Sequence, residues 1–223
     1  MKKLYEVQFE IAGPAAMFTR PDTGAAPISY PVPTWSACKA MFESVARGFF
    51  AKGHAPAAVF SPTKVELLKP VRYERFVTNY RGPLREQKNI AKGASYQLQS
   101  TILIDVHYRI SAECLRINGA ADDSGNAPHA LQEMFDRRLA EGKSKYAPCL
   151  GWKEFLPTYF GPVITADSPV SVNEQIPAFL LSAWDAPVNG QYGPSFCIGE
   201  IKSGTLVFPS ALLLNGKLKF QTH

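Results

Sequence analysis

The stretch Ile102-Leu103-Ile104-Asp105-Val106-His107-Tyr108-Arg109-Ile110 puts Ile102, Ile104, Val106, Tyr108 and Ile110 on one side of an extended chain. Successive strand side chains point to opposite faces, so a period of two marks a strand with one face in a core. The pattern sits inside a longer extended run from about Leu98 to Ile117. Near the N-terminus, Tyr5, Val7, Phe9 and Ile11 alternate with polar neighbours as a first strand. A long loop follows from Ala12 to Pro33, holding Pro14, Pro21, Gly24, Pro27, Pro31 and Pro33. Thr34 is placed as a helix N-cap, with Cys38, Met41, Phe42, Val45 and Phe49 behind it at helical spacing and Gly48 and Gly53 ending the helix near His54. Ala57–Phe60 and Lys64–Leu68 read as two further strands, the second continuing beyond Pro70.

A hairpin with Gly82-Pro83 as its turn leads into the long strand. After the polar loop Asn118–Ala127 a second helix is expected. Pro128 suits its first turn, and Leu131, Met134, Phe135, Arg138 and Leu139 form one stripe. From Pro148 to His223 the chain reads as short strands broken by Pro and Gly. Strand, helix, strands, helix, strands is the order of an α+β protein. The expected architecture is a ferredoxin-like (RRM-like) N-terminal domain over residues 1–147 with a C-terminal antiparallel β-rich extension over 148–223.

The chain has 223 residues, 46% hydrophobic and 19% charged, a composition that excludes intrinsic disorder. No apolar run approaches the roughly 18–20 residues of a membrane span. Met1-Lys2-Lys3 leads into an alternation carrying Glu6 and Glu10, not the apolar stretch of a signal peptide, so a cytoplasmic protein is expected. Cys38, Cys114, Cys149 and Cys197 are isolated, which points to reduced thiols and away from zinc or a disulfide scaffold. The net charge of +5 is concentrated. Residues 69–92 hold Lys69, Arg72, Arg75, Arg81, Arg85, Lys88 and Lys92 against only Glu74 and Glu86, while the rest of the chain cancels to zero. A field gathered in a tenth of the sequence attracts a polyanion. Tyr73, Phe76, Tyr80 and, just beyond, Tyr96 are interleaved with these cations. Cations neutralise phosphates and aromatic faces stack on unpaired bases, so the pair of types suits single-stranded or hairpin RNA. The residues expected to bind RNA are Arg72, Arg75, Tyr80, Arg81, Arg85, Lys88, Lys92 and Tyr96.

Of the four histidines, His223 and His54 read as incidental, and His107 as solvent-facing because it is out of phase with the apolar face. His129 falls in the first turn of the second helix, where the positive end of the helix disfavours imidazolium and favours a base. A surface histidine without function is the plain alternative. There is no phosphate-binding loop, dinucleotide fingerprint, nucleophile elbow or zincin motif. No metal site and no cofactor is expected, and any RNA cleavage is expected to use the substrate's own 2′-hydroxyl.

Gly13-Pro14-Ala15-Ala16-Met17-Phe18-Thr19-Arg20-Pro21 and Ser29-Tyr30-Pro31-Val32-Pro33-Thr34-Trp35-Ser36-Ala37 resemble the N-terminal signature of the CRISPR-associated Cas5 family in its type I-C form. The likeness continues through Asp105-Val106-His107-Tyr108, Arg137-Arg138-Leu139-Ala140-Glu141-Gly142 and Pro148-Cys149-Leu150-Gly151-Trp152-Lys153-Glu154-Phe155, so it spans roughly residues 4–160. It implies an RRM-like domain with a C-terminal sheet, binding of the repeat-derived 5′ handle of CRISPR RNA, and partnership with the other subunits of the Cascade surveillance complex in antiviral defence. Double-stranded DNA is a weaker expected ligand. Type I-C members also cut the precursor without metal, using a tyrosine late in the first helix and adjacent lysine and histidine at the start of the second. Here the histidine matches His129, the lysine position is Pro128 and the tyrosine position is Ala46. Lys52 or a cation of the basic segment is the available substitute for the lysine.

Overall fold

The computed structural model describes residues 4–50, 56–81, 95–117, 126–184, 192–214 and 217–220. Its organising element is β5 (Ser95–Arg116), a single strand of 22 residues. Antiparallel partners lie along both edges: β1 (Glu6–Ala16) from Glu113 to Leu103, β3 (Pro56–Leu67) from Arg116 to Tyr108, and β4 (Tyr73–Arg81) from Leu103 to Ser95. The alternation read from the sequence places Val106, Tyr108 and Ile110 in the core, as expected, with Ile104 partly buried at its margin.

Two helices cover this core face. Helix α1 (Trp35–Val45) starts where the sequence placed it, with the Thr34 side chain accepting from Ala37 N, and it ends at a buried Ala46 cap. Helix α2 (Ala127–Ala140) has Asn126 as N-cap and Pro128 in its first turn. Phe9 of β1, Phe42 of α1, Phe60 of β3 and Phe135 of α2 meet with ring centroids 4.7–5.4 Å apart. All four are essentially inaccessible to water, so each stabilises the fold by roughly 1.5–3 kcal/mol, and together they hold both helices on one face.

The sheet runs β6-β1-β5-β3-β9-β8-β7, with β2 (Phe49–Phe50) on β3 and β4 on β5. It therefore continues from the N-terminal half into β7 (Glu174–Trp184), β8 (Tyr192–Lys202) and β9 (Thr205–Val207), while β6 (Tyr159–Gly161) pairs back onto β1. A separate hairpin joins β10 (Ala211–Leu214) to β11 (Lys217–Phe220). Three expectations are corrected. The first helix stops at Val45, and Phe49, read as the last residue of its stripe, lies in β2 instead. Ala57–Phe60 and Lys64–Leu68 belong to one strand, β3, because a register shift between Pro62 and Lys64 absorbs the proline without ending the pairing. The C-terminal strands are not all short: β7 and β8 have 11 residues each, and shifts between Ile176 and Phe179 accommodate Pro177. Gly53, His54 and the Gly82-Pro83 turn lie outside the described residues. Among those described, no helix is long and apolar enough to cross a membrane.

The prolines and Ser29-Tyr30 of the long loop are structural. Tyr30 is fully buried, donates its hydroxyl to Ala178 O at 2.6 Å and accepts from Leu180 N at 3.1 Å, occupying the outer edge of β7. Tyr108 donates to Pro31 O at 3.2 Å and Trp35 Nε1 to Pro62 O at 3.1 Å. Gly151 has a φ of +90°, and a Cβ there would lie 1.9 Å from Met17 O, so only glycine lets the 148–155 segment lie against the end of β1.

Candidate nucleic-acid interface

Among the described residues, strand β4 pairs with β5 alone and forms the stem of an arm. Its alternation presents Tyr73 and Val77, each 44% exposed, on either side of the exposed Arg75. Phe76 points the other way and packs edge-on against Phe155 at 5.6 Å. Phe155 stacks with Trp152, whose Nε1 donates to Thr19 Oγ1 at 2.9 Å. The stem is thus anchored on one face and open on the other.

At its base, Asp105 takes a left-handed φ of 52° and accepts from Lys69 Nζ at 2.5 Å, with Arg72 Nη1 at 3.9 Å. The Lys69 hydrogen bond holds the Asp105 carboxyl below its ordinary range. Two of the seven cations counted in the basic segment therefore share an acid from outside it, and Arg75 has no ion-pair partner among the described residues. Tyr80 stands opposite Tyr96, and Arg81 opposite Ser95, in the β4–β5 ladder. Arg85, Lys88 and Lys92 lie outside the described residues, as does Lys52.

His129 is built into a different place. Its backbone N–H donates to the Asn126 cap at 3.4 Å, and its ring meets Tyr5 edge-on at 5.5 Å. Asn126 Nδ2 donates to Tyr5 Oη, and Glu133 Oε1 lies 3.5 Å from His129 Nε2. The imidazole side chain is 43% exposed, open to a ligand. Sequence reasoning missed Tyr5 and Glu133. Glu133 follows one helical turn after His129 and was visible by spacing, whereas only register brings Tyr5 there, through Cys114 N bonding to Tyr5 O at 2.8 Å. Ala46, at the tyrosine position of the resemblance, is 5% exposed within the core, and Pro128 is buried. The Tyr5–Cys114 end and the Tyr73–Leu103 end of β5 are eleven residues apart, about 35 Å along the strand, so the sheet does not bring His129 and the arm together.

His107 is corrected: its side chain is only 14% exposed, and Nε2 lies 3.5 Å from Glu10 Oε2 without a hydrogen bond. Glu10 is wholly buried and accepts from Arg109 at 3.0 Å, Thr165 Oγ1 at 2.6 Å and Ile164 N at 3.4 Å. Burial alone raises its pKa, but these hydrogen bonds and the His107 charge outweigh it and hold the carboxyl below its ordinary value. Among the described residues no three His, Cys, Asp or Glu side chains gather as metal ligands. Cys38 and Cys114 are buried, Cys149 and Cys197 half-buried, and all four are free.

A family model described as "CRISPR-associated protein (Cas_Cas5)" matches residues 6–179. The chain is 28% identical over 230 residues to the CRISPR pre-crRNA endoribonuclease Cas5d of Mannheimia succiniciproducens, covering 91% of this chain and 94% of that one. It is 31% identical over 157 residues to the protein of the same name from Thermus thermophilus, covering 70% and 63%. Among solved structures, a CRISPR-associated protein superposes with a TM-score of 0.66 and a functionally uncharacterized Streptococcus mutans protein with 0.64, each 18% identical and covering 92% of both chains. At that identity they share the fold.

Proposed function

Because this chain belongs to the CRISPR-associated Cas5 family, we propose that it binds the repeat-derived 5′ handle of CRISPR RNA as a subunit of a type I Cascade complex. The observation that carries the reading is the arm. With Arg72 at its foot, a stem presenting Tyr73, Arg75 and Val77 leads through Arg81 into the chain that holds Arg85, Lys88 and Lys92. Guanidinium and ammonium groups on such a stem neutralise phosphates while its aromatic rings take unpaired bases. The relatives' name, pre-crRNA endoribonuclease, supports the same class of RNA. We read residues 1–147 as a ferredoxin-like, RRM-like unit, supported by the strand order β1-β5-β3 beneath two helices, with the β-rich extension from 148 onward.

The test is a filter-binding titration with repeat RNA across salt concentrations. Replacing Arg75, Arg81, Arg85 and Lys88 with alanine is expected to weaken binding steeply and to lower the salt slope by roughly 0.7 for each phosphate left without its cation. Scrambled RNA and double-stranded DNA are expected to bind more weakly. An unchanged slope places the RNA elsewhere, and equal affinity for repeat and scramble at about 150 mM salt leaves only non-specific binding.

A second reading, cleavage of the precursor, is favoured by the accessible His129 against Tyr5. In that chemistry His129 takes the 2′-hydroxyl proton, the oxygen attacks the adjacent phosphorus, the P–O5′ bond breaks, and the leaving 5′ oxygen takes a proton from water. The products are a 2′,3′-cyclic phosphate and a 5′-hydroxyl. Tyr5, held by Asn126, is the nearby hydroxyl that would stand in for the one absent at Ala46. Losing the cation absent at Pro128 without a replacement costs about 10²–10³-fold. Tight binding with slow cutting is the expected behaviour.

A further inference from the structure

The segment that follows α2 forms a groove with α1. Its walls include Ala37, Glu43, Arg47, Tyr146, Cys149 and Gly151, around a volume of about 340 Å³. The groove is preformed: the backbone N–H groups of Lys145 and Tyr146 both bond Ser44 O, at 2.6 and 3.2 Å, fixing the segment on the last turn of α1. Three features distinguish it from an ordinary crease. Tyr146 is 54% exposed, with Lys145 Nζ 5.7 Å from its ring centroid. Arg47 is exposed and has no ion-pair partner among the described residues. Glu43, the acid of the wall, is already engaged by Lys39, so the groove's free charge is positive.

The basic side chains here are not explained by the end of α2. Arg137 and Arg138 lie in its last turn, where cations complement the helix carbonyls, and Lys143 pairs with Glu141 at 2.8 Å. Arg47 and Lys145 belong to neither arrangement. The same segment runs on through Gly151 and Trp152 to Phe155, which packs on Phe76 of the arm.

We infer that this groove is a second RNA subsite, in which an unpaired nucleotide stacks its base on Tyr146 while Arg47 and Lys145 take the flanking phosphates. The inference rests on the RNA-binding reading above. An exposed aromatic ring with cations beside it is the arrangement that grips single strands without reading sequence. Its partner is therefore a single-stranded portion of the RNA, not its base-paired stem.

The test is titration of the full chain with repeat RNA, using wild type, Tyr146→Ala, Tyr146→Phe and Arg47→Ala, each checked for an unchanged melting profile. Tyr146→Ala is expected to weaken binding by about 5- to 150-fold, the range set by removing one base stack. Tyr146→Phe should keep wild-type affinity, and Arg47→Ala should lower the salt slope by roughly 0.7. In repeat RNA carrying photoreactive 4-thiouridine, a crosslink should fall within residues 143–151. Wild-type protein that does not bind repeat RNA overturns both this inference and the reading beneath it. Wild-type binding with Tyr146→Ala and Arg47→Ala within about twofold overturns the subsite alone and leaves the groove to a protein partner. A Tyr146→Phe variant as weak as Tyr146→Ala overturns stacking as its basis.

Discussion

Glu10 is the residue on which the polar face of the sheet turns, because it joins Arg109 of β5 to Thr165 of the chain crossing behind. Glu10→Gln leaves Arg109 short of its counter-charge in a place only 14% exposed, which is expected to cost about 3 kcal/mol in urea unfolding near neutral pH. The pH dependence has a definite sign. A carboxyl held below its ordinary value contributes fully above the unfolded value near 4.5, and the contribution drains away as pH falls through the lower folded value. The difference in unfolding free energy between wild type and Glu10→Gln should therefore narrow below about pH 4.5, and a gap that persists to pH 2.5 would show that the charge is not what stabilises. None of this was legible beforehand. Glu10 sits at a polar position of an alternating strand, and so does His107; the alternation names their face but not the chain from Ile164 to Asp167 that covers it. His129 was legible as a position, since a proline and a cap before it mark a helix start, but its neighbour Tyr5 lies at the opposite end of the N-terminal half.

Elements were easier to read than their partners. Helix α1 announced itself through Thr34 and an apolar stripe, and β5 through strict alternation, because both signals are local. What failed was the reading of proline as a stop: Pro62 and Pro177 sit within strands whose register shifts beside them. The arm's base was hidden for a related reason, since Asp105 lies outside the basic segment and a charge count along the chain cannot pair it with Lys69 and Arg72. The signature loop has an element-scale role that can be measured. Tyr30→Phe removes a buried hydroxyl that satisfies two backbone groups of β7, Ala178 O and Leu180 N. Unfolding in urea should show a loss of about 1–3 kcal/mol, and hydrogen exchange at Leu180 should accelerate. A variant as stable as wild type, with Leu180 still protected, would mean that water or a neighbour replaces the hydroxyl.

The foot of the arm and the Tyr5 that meets His129 attach to β5 eleven residues apart, about 35 Å measured along the strand. Binding and cleavage are therefore expected to separate cleanly. With labelled repeat RNA and excess protein, His129→Ala should abolish any cutting without changing affinity, and that cutting should persist in EDTA and stop at a 2′-deoxy nucleotide 5′ of the cut. Alanines on the arm should do the reverse, raising the protein concentration needed while sparing the rate at saturation. Rapid cutting that survives His129→Ala would place the chemistry on other residues. The fold that keeps these ends apart depends on one shared strand: β5 serves β1 and β3 with one half and β4 with the other. Its length is consequently a heritable constraint separate from its composition. Substitutions between Leu103 and Tyr108 alter one side chain each, whereas an in-frame loss or gain of one codon there turns over every residue of the half beyond it. Either Ile110 and its row leave the core, or Phe76 swings away from Phe155 and the arm exposes its anchor in place of its cations. Related genes should keep the number of residues in that stretch even where they exchange one apolar core side chain for another.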